Sequence, residues 1–361
     1  MTTSPALDAE LQTHSLHYID DSKPGLSRQR FGKGFAYFDT RGKRIKNPKI
    51  VKRLQKLAMP PAYSDVWFCP NPRGHIQAVG WDARGRKQYR YHESWTQLRD
   101  SHKYERMIDF AKSMPTLRKV TDRHLRLKGL PREKVLAAMV KLLEKTLIRV
   151  GNDEYARKNK SYGLTTLRDS HVTVKGTHMI FKFRGKSGVK HELDLEDARL
   201  ATIVRRCQEL PGYEVFEYID ATGKRHDVKS EHINAYLREV TGHAFTAKDF
   251  RTWAGTLLAA KALQEYRSFS SQTEAKKQVL KAIESVSKKL GNTKAICRKC
   301  YVHPAVIESH MDGSLAEIFE KKATDMVSQK FSSLKKDEAA ILVLLEKRLK
   351  KDGASQKTSR R

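Results

Sequence analysis

An α+β fold is predicted, with a β-rich N-terminal domain followed by a mainly α-helical one. Three observations lead to it. Aromatic and β-branched runs separated by Gly, Pro, Asn and Asp crowd residues 32–91. From Glu93 onward apolar residues recur at helical spacing, and a single strand pair interrupts that half. With 361 residues, 39% of them hydrophobic, the chain is long enough for one large domain or two ordinary ones.

The stretch to about His14 is polar and patternless and reads as a loose arm. Phe35-Ala-Tyr-Phe38 runs into the turn Asp39-Thr-Arg-Gly42, and Val66-Trp-Phe-Cys69 into Asn71-Pro-Arg-Gly74. Ile76-Gln-Ala-Val79 leads through Asp82-Ala-Arg-Gly85 to Gln88-Tyr-Arg-Tyr91, which completes a small antiparallel sheet. The join to the helical half lies near His92 to Trp95. Val135, Leu136, Met139, Leu142, Leu143 and Leu147 predict a helix over 132–149. Two β-rich runs, 178–184 and 189–195, flank Gly185-Lys-Ser-Gly188 and form a hairpin with a short glycine-bounded tip. Thr246-Ala-Lys-Asp249 has the form of a capping box, opening a helix to about Tyr266. Residues 273–290 form another, stopped by Gly291. From Lys321 onward there are twelve Lys plus Arg against five Asp plus Glu, with amphipathic character only over 339–349. This reads as one helix and a disordered basic end. The resulting scheme has domains at 1–95 and 96–320 and a basic helix and tail at 321–361, with no internal repeat. Trp67, Trp81, Trp95 and Trp253 are assigned to packing.

Charge points to the partner. There are 71 Lys plus Arg against 41 Asp plus Glu, a formal net charge of +30, and charged residues make up 31% of the chain. An average globular domain has about 25%. A folded chain this basic repels itself unless a polyanion is near, so DNA or RNA is the first expected partner. No apolar run approaches the roughly 18 to 20 residues of a membrane span, and the first thirty residues hold no apolar signal core. Four cysteines are too few for a disulfide framework and suit a reducing compartment. The expectation is a cytoplasmic, nucleoid-associated protein.

Nucleotide and metal chemistry find little support. No G-x-x-x-x-G-K-[ST] loop occurs, and Gly32-Lys-Gly34 lacks the strand and helix of a dinucleotide site. The carboxylates form no local cluster in the sequence. Cys297-x-x-Cys300-x-x-His303, with His310 beyond, reads as two helix-borne thiols beside a turn at Pro304, because a zinc module wants a longer separation between ligand pairs. No metal, nucleotide or other cofactor is expected.

Arg and Tyr remain. Arg149-Val-Gly-Asn-Asp-Glu-Tyr155 is followed by Tyr162-Gly-Leu-Thr-Thr-Leu-Arg168, Phe183-Arg-Gly-Lys186, Lys248-Asp-Phe-Arg251 and Leu290-Gly-Asn-Thr293 ahead of Tyr301, with Lys87-Gln-Tyr-Arg-Tyr91 in the N-terminal half. In this order, over about residues 31–311, they resemble the active site of the small type IB DNA topoisomerases, the poxvirus-like branch found in bacteria. The resemblance implies a β-rich domain and a catalytic domain of the tyrosine recombinase/topoisomerase IB type closing as a clamp around double-stranded DNA. It also implies a monomer that breaks one strand through a 3′-phosphotyrosyl link without ATP or metal.

On that resemblance Tyr301 is the nucleophile. Arg149 and Arg251 hold the non-bridging oxygens, for which guanidinium forks are suited. Lys186 protonates the departing 5′-oxygen. Asn292 donates a third contact where poxvirus relatives carry His, and lacks that residue's positive charge. Gln88, Tyr89 and Tyr91 become groove or phosphate contacts, Tyr155 a phosphate contact, and Lys248 a contact to phosphate or the adjacent base. A tyrosine recombinase shares the Arg, Lys, Arg and Tyr chemistry, but typically has His-x-x-Arg in place of Lys248-Asp-Phe-Arg251 and a helical N-terminal module. A non-catalytic DNA-binding protein fits the charge but has no use for Tyr301.

The charge generates the first prediction. If six or more phosphates are neutralised, duplex affinity should fall by roughly 10³ or more between about 50 and 200 mM salt through counterion release. Relaxation should shift from processive to distributive over the same range. A filter-binding titration that barely responds to salt would contradict the two-sided electrostatic grip.

Overall fold

The computed structural model describes residue 11 and residues 15–266, 268–321 and 333–358. The chain divides into two compact units, 1–105 and 106–361.

The first unit is built on a five-stranded antiparallel sheet. Its strands are β1 (Leu26–Phe31), β2 (Gly34–Phe38), β3 (Ser64–Phe68), β4 (Ile76–Trp81) and β5 (Lys87–Tyr91), in the order β2-β1-β3-β4-β5. Turn chemistry sets the register. Asp39 Oδ1 accepts from the amides of Arg41 and Lys43, and Asp82 Oδ1 from those of Arg84 and Arg86, closing both turns on a following glycine with positive φ. Helix α1 (Pro48–Lys56), capped by Asn47, drops Leu54 onto Leu26, Tyr37, Val66 and Phe68 to make the core. Two of these elements, β1 and α1, lie outside the sequence expectation. The β1 run LSRQRF buries one residue, too little apolar pattern to register, whereas the α1 run PKIVKRLQK carries Ile50, Val51 and Leu54 at helical spacing behind an Asn-Pro cap, a signal lost among the strand-like runs around it. Most of the expected N-terminal arm falls outside the described residues, but Leu11 is buried with Leu16, Trp95 and Leu98. Trp95 and Trp253 are buried as expected, and Trp67 is partly so; Trp81 is instead 39% exposed.

Helix α2 (Glu93–His124) starts where helical spacing begins, and the division between the units falls within it. In the second unit α3 (Arg132–Thr146) buries Val135, Leu136, Met139, Leu142 and Leu143. It is shorter than its apolar period suggests: Leu147 takes a left-handed conformation (φ 58°) and turns Arg149 out of the helix. Helix α4 (Asp153–Asn159) follows. The predicted hairpin is present as β7 (His178–Arg184) and β8 (Lys190–Glu196), and a third strand, β6 (Val172–Lys175), pairs with β7. Helix α5 (Ala198–Gln208) covers it, and β9 (Glu217–Ile219) and β10 (Arg225–Asp227) form a ribbon ahead of α6 (Ser230–Thr241).

The site rests on the next elements: α7 (Ala247–Gln264), opened by the expected Thr246–Asp249 capping box; α8 (Gln272–Leu290), ended by Gly291 with φ 58°; and the short α9 (Lys294–Cys300). They are followed by α10 (Pro304–Met311), α11 (Ser314–Lys321) and α12 (Lys336–Thr358). Helix α12, from the region set apart as basic helix and tail, belongs to the second unit, where it packs on α7, α10 and α11. Ala339, Ala340, Ile341, Leu342, Leu344 and Leu345 are buried there, and about 1.5–3 kcal/mol for each fully buried large aliphatic side chain outweighs the repulsion of nearby basic residues. The helix runs on to Thr358, past the 339–349 stretch and through most of the segment expected to be a disordered end, and residues 359–361 lie outside the described residues.

A buried ion pair ties α12 down. Arg118 on α2 donates to both carboxylate oxygens of Glu338, at 2.8 and 2.6 Å, and through Nε to Glu144 at 2.8 Å. Burial alone would raise the Glu338 carboxyl, but the Arg118 hydrogen bonds and charge hold it below the ordinary glutamate value. Glu338→Ala should therefore destabilise this unit by about 3 kcal/mol, the low end for a broken buried pair because Arg118 keeps Glu144. Since the folded value is depressed, the contribution is complete at neutral pH. It fades as pH drops below about 4.3 and is gone below the folded value. Urea unfolding of wild type and variant at about pH 7 and pH 3.5 checks both size and sign.

Candidate active site

Three segments meet where α3, α7 and α8 end or begin. The loop after α3 is locked by the Tyr162-Gly-Leu-Thr-Thr run. Leu164 donates its amide to the Arg149 carbonyl at 2.8 Å, and Thr165 donates amide and hydroxyl to the Val150 carbonyl at 2.7 and 2.9 Å. Gly163 lies flush on this loop: a Cβ there would fall 2.5 Å from the Gly151 nitrogen and 2.6 Å from the Arg149 carbonyl oxygen. The two motifs recognised separately in the sequence are thus one clasp that fixes where Arg149 emerges.

Arg251 enters from the opening turns of α7 and is only 5% exposed. Its guanidinium donates to the Leu147 carbonyl at the end of α3, to the Leu290 carbonyl at the end of α8 (2.6 Å), and to Asn292 Oδ1 (2.7 Å). Arg149 donates through Nη2 to the same Asn292 oxygen at 2.7 Å and to the Gly291 carbonyl at 3.2 Å. The amide oxygen of Asn292 therefore bridges both guanidiniums, leaving its NH₂ as a donor. Burial and the Arg251 charge lower the Arg149 value, yet an arginine side chain stays charged. Among the described residues, neither guanidinium pairs with a carboxylate. Arg251 Nε is buried with no partner there, the kind of orphaned donor that an anionic ligand would satisfy.

Helix α9 starts at the Thr293 cap and places Tyr301 at its C-terminal end, where the Arg251 guanidinium lies 5.3 Å from the ring centre. The Tyr301 backbone is fixed against α7. Its carbonyl accepts from the Thr256 hydroxyl at 3.2 Å, and that hydroxyl accepts from the His303 amide at 3.1 Å. Gly255 makes the approach possible, for a Cβ there would sit 2.7 Å from the Tyr301 carbonyl oxygen and 2.9 Å from its Cβ. Sequence reading passed over Gly255, although a glycine inside a helix costs about 1 kcal/mol against Ala and so signals a packing reason. Buried Cys297 sits one helical turn before Tyr301, its thiol pushed up by burial against the pull of both guanidiniums. His303 Nδ1 accepts from the Ala305 amide, and His310 Nε2 bonds Gln278 Oε1 at 2.8 Å, so both rings serve the local fold. Among the described residues no group of three or more His, Cys, Asp or Glu is placed to hold a metal ion.

Arg149, Arg251, Asn292 and Tyr301 are thus brought together by the fold. Lys186 is exposed at the hairpin tip, where its ammonium makes no hydrogen bond or ion pair among the described residues. The tip end of that hairpin reaches the cluster through His191, whose ring lies against Gly185 and Gly291; this residue too lies outside the sequence expectation, hidden in an exposed-looking alternation. Tyr155 (52% exposed) and Lys248 stand on the surface of α4 and the first turn of α7. In the first unit, the pairs Val79↔Tyr89 and Ile76↔Tyr91 leave Tyr89 and Tyr91 stacked on one face, rings 5.9 Å apart. Gln88 points to the other face of the strand and donates to Asp82 Oδ2 at 3.0 Å.

Comparison with known proteins decides the family. A family model described as eukaryotic DNA topoisomerase I, catalytic core, matches residues 92–347, and one described as bacterial DNA topoisomerase IB, N-terminal domain, matches residues 34–82. DNA topoisomerase 1B of Acanthamoeba polyphaga mimivirus is 32% identical over 295 residues, 80% of this chain and 88% of the relative. The chain belongs to the type IB DNA topoisomerase family. Vaccinia virus (strain Copenhagen) DNA topoisomerase 1B is 20% identical over 68% of this chain and 76% of its own, and rabbit fibroma virus DNA topoisomerase 1 is 22% identical over 64% and 70%. Membership in the type IB topoisomerases makes the protein an isomerase acting on DNA topology, and favours that reading over the recombinase and the passive binder.

The packing of Gly255 on Tyr301 yields a prediction for a type IB topoisomerase. Gly255→Ala should slow plasmid relaxation by roughly tenfold to 10², the scale of a 1 Å misplacement of a reacting group. Duplex affinity should change by no more than about twofold. Wild-type relaxation by the variant would show that the Tyr301 backbone has room to yield.

Proposed function

We propose that Tyr301 attacks one phosphodiester of duplex DNA, and that Arg149, Arg251, Asn292 and Lys186 carry the transfer. The Tyr301 hydroxyl releases its proton to solvent and its oxygen forms a bond to phosphorus as the bond to the 5′-oxygen breaks, leaving a 3′-phosphotyrosyl link. Lys186 gives its proton to the leaving oxygen, and the reverse step takes it back. The ester keeps the bond energy, so resealing needs no ATP. Rotation of the free 5′-end between the two steps relaxes the supercoil.

The orphaned Arg251 Nε beside the Tyr301 ring, in a cluster that pairs with no carboxylate among the described residues, supports this reading most directly. The pentacoordinate state carries extra negative charge on its non-bridging oxygens, and buried fixed donors stabilise it more than the ground state. Arg251 is largely spent on backbone carbonyls, whereas Arg149 uses only Nη2 and has more N–H groups left for phosphate. The Asn292 NH₂ adds a neutral donor.

The domain at 1–95 binds DNA, with Tyr89 and Tyr91 offering stacked, exposed rings and Gln88 a further contact. The catalytic domain adds Tyr155 and Lys248 as contacts beside the reacting phosphate. The two grip the duplex together, and the enzyme works as a monomer in the cytoplasm, associated with the nucleoid. Among the described residues no helix is long and apolar enough to cross a membrane.

Purified protein should relax supercoiled plasmid in EDTA without ATP, and trap as a covalent adduct with DNA when denatured. Tyr301→Phe removes only the hydroxyl, so duplex binding should persist while adduct and relaxation disappear. A denaturation-resistant adduct formed by the Phe variant would assign the nucleophile elsewhere.

A further inference from the structure

We infer that His191 is a positioning residue for Lys186, its ring wedged between the hairpin tip and the turn that carries Asn292. The inference rests on Lys186 as the proton donor. His191 sits on β8 opposite Phe183 on β7, and the two rings stack at 4.9 Å and 16°. On one side a Cβ at Gly185 would fall 2.6 Å from His191 Nε2; on the other, a Cβ at Gly291 would fall 2.9 Å from His191 Cε1. Both neighbours are glycines, and any side chain at either position would strike the ring. Gly185 immediately precedes Lys186, and Gly291 immediately precedes Asn292. One ring therefore stands a single residue away from the proton donor and from the amide that bridges both guanidiniums.

Among the described residues the backbone hydrogen bonds of the tip reach the clasp around Arg149 at one point, the Arg184 carbonyl, and none reaches the turn that carries Asn292. Gly185 N–H donates to the Val189 carbonyl at 2.7 Å and Gly188 N–H to the Gly185 carbonyl at 3.1 Å, which close the tip on itself. Arg184 holds the strand end through its carbonyl, which accepts from Tyr162 N–H at 2.8 Å. Val189 approaches Gly291 as well, but its Cγ1 is 3.7 Å from the Cβ position, an ordinary contact. Ser187 at the tip has φ 62°. A residue placed with positive φ on an exposed tip needs outside support if Lys186 is to return to one place. Burial, then the charges of Arg149 and Arg251, hold the imidazole below its ordinary value, so the wedge is a neutral ring beside two cations. The ring nitrogens of His191 make no hydrogen bond among the described residues, which fits a role in packing over one in proton transfer.

The test separates a role through Lys186 from general support of the site. Single-turnover cleavage is measured for wild type, Lys186→Ala, His191→Ala, His191→Phe and the Lys186→Ala/His191→Ala double variant. Each is assayed on an ordinary suicide substrate and on one whose bridging 5′-oxygen is sulfur, a leaving group that needs no proton. His191→Ala should slow cleavage of the oxygen substrate by roughly tenfold to 10² and recover most of its rate on sulfur, as Lys186→Ala does. His191→Phe keeps a ring to stack on Phe183 and should retain most activity on both. In the Lys186→Ala background His191→Ala should cost nothing further, because a residue acting through Lys186 has nothing left to position. Equal losses of His191→Ala on oxygen and sulfur, additive losses in the double variant, or wild-type rates throughout would each overturn the inference. If Lys186→Ala itself fails to recover on sulfur, the assignment of Lys186 as proton donor fails, and this inference falls with it for that separate and recognisable reason.

Discussion

Two guanidiniums, Arg251 buried and Arg149 half-buried, share one amide oxygen and among the described residues pair with no carboxylate, and they set the terms for the rest of the catalytic unit. Arg149 and Arg251 each reach Asn292 Oδ1 at 2.7 Å, so their donor nitrogens lie no further apart than twice that distance. At about 5 Å two unit charges repel by roughly 3 kcal/mol at an effective dielectric of about 20. The fold offsets this with oxygens that carry only partial charge. The carbonyls of Leu147, Leu290 and Gly291 stand at the C-terminal ends of α3 and α8, where each helix presents about half a negative charge. Two such ends against two full cations leave the pocket with a net positive charge. A carboxylate in their place would have neutralised the arginines and removed the reason for a phosphate to bind.

The same constraint explains the shape of the surrounding elements. Helix α3 must stop at Thr146 and turn through a left-handed Leu147, or its final carbonyl would not face Arg251. Helix α8 must end at a left-handed Gly291, because the turn has to present Leu290, Gly291 and Asn292 in succession to the two arginines. Helix α9 then carries Tyr301 back over α7, where Gly255 and Thr256 receive its backbone. Tyr301 and the Arg251 guanidinium are therefore fixed to the same helix, α7, by separate contacts one turn apart.

Rigidity is distributed unevenly. The arginine pocket is held by α3, α7 and α8, with Arg251 nearly inaccessible, while Lys186 stands on an exposed three-residue turn. That division suits the roles proposed for them: charge stabilisation is strongest when donors need no reorganisation, whereas a proton donor must meet an oxygen that arrives with the substrate. Helix α12 contributes at a distance. Through Arg118 and Glu338 it braces α2, and through Glu144 the same arginine reaches α3, the helix whose end faces Arg251.

By itself the sequence determined the α+β division, the turn-bounded strands, the capped start of α7 and the glycine stop of α8, and it singled out Arg149, Arg251, Asn292 and Tyr301, which the fold brings together. Those features are local: an Asp or Thr side chain meets amides two or three residues away, and Gly marks a backbone that other residues resist. Tertiary structure decided what depends on residues far apart in the chain. Strand β1, burying a single side chain, exists because a sheet is there to receive it. The basic segment after Lys321 yields a buried helix because its short apolar face meets α7, α10 and α11. What Gly163, Gly255 and His191 do is not written along the sequence; each matters because another segment approaches to within contact of one atom. That Asn292 serves as an acceptor for two arginines as well as a donor was likewise settled only when three helix ends converged.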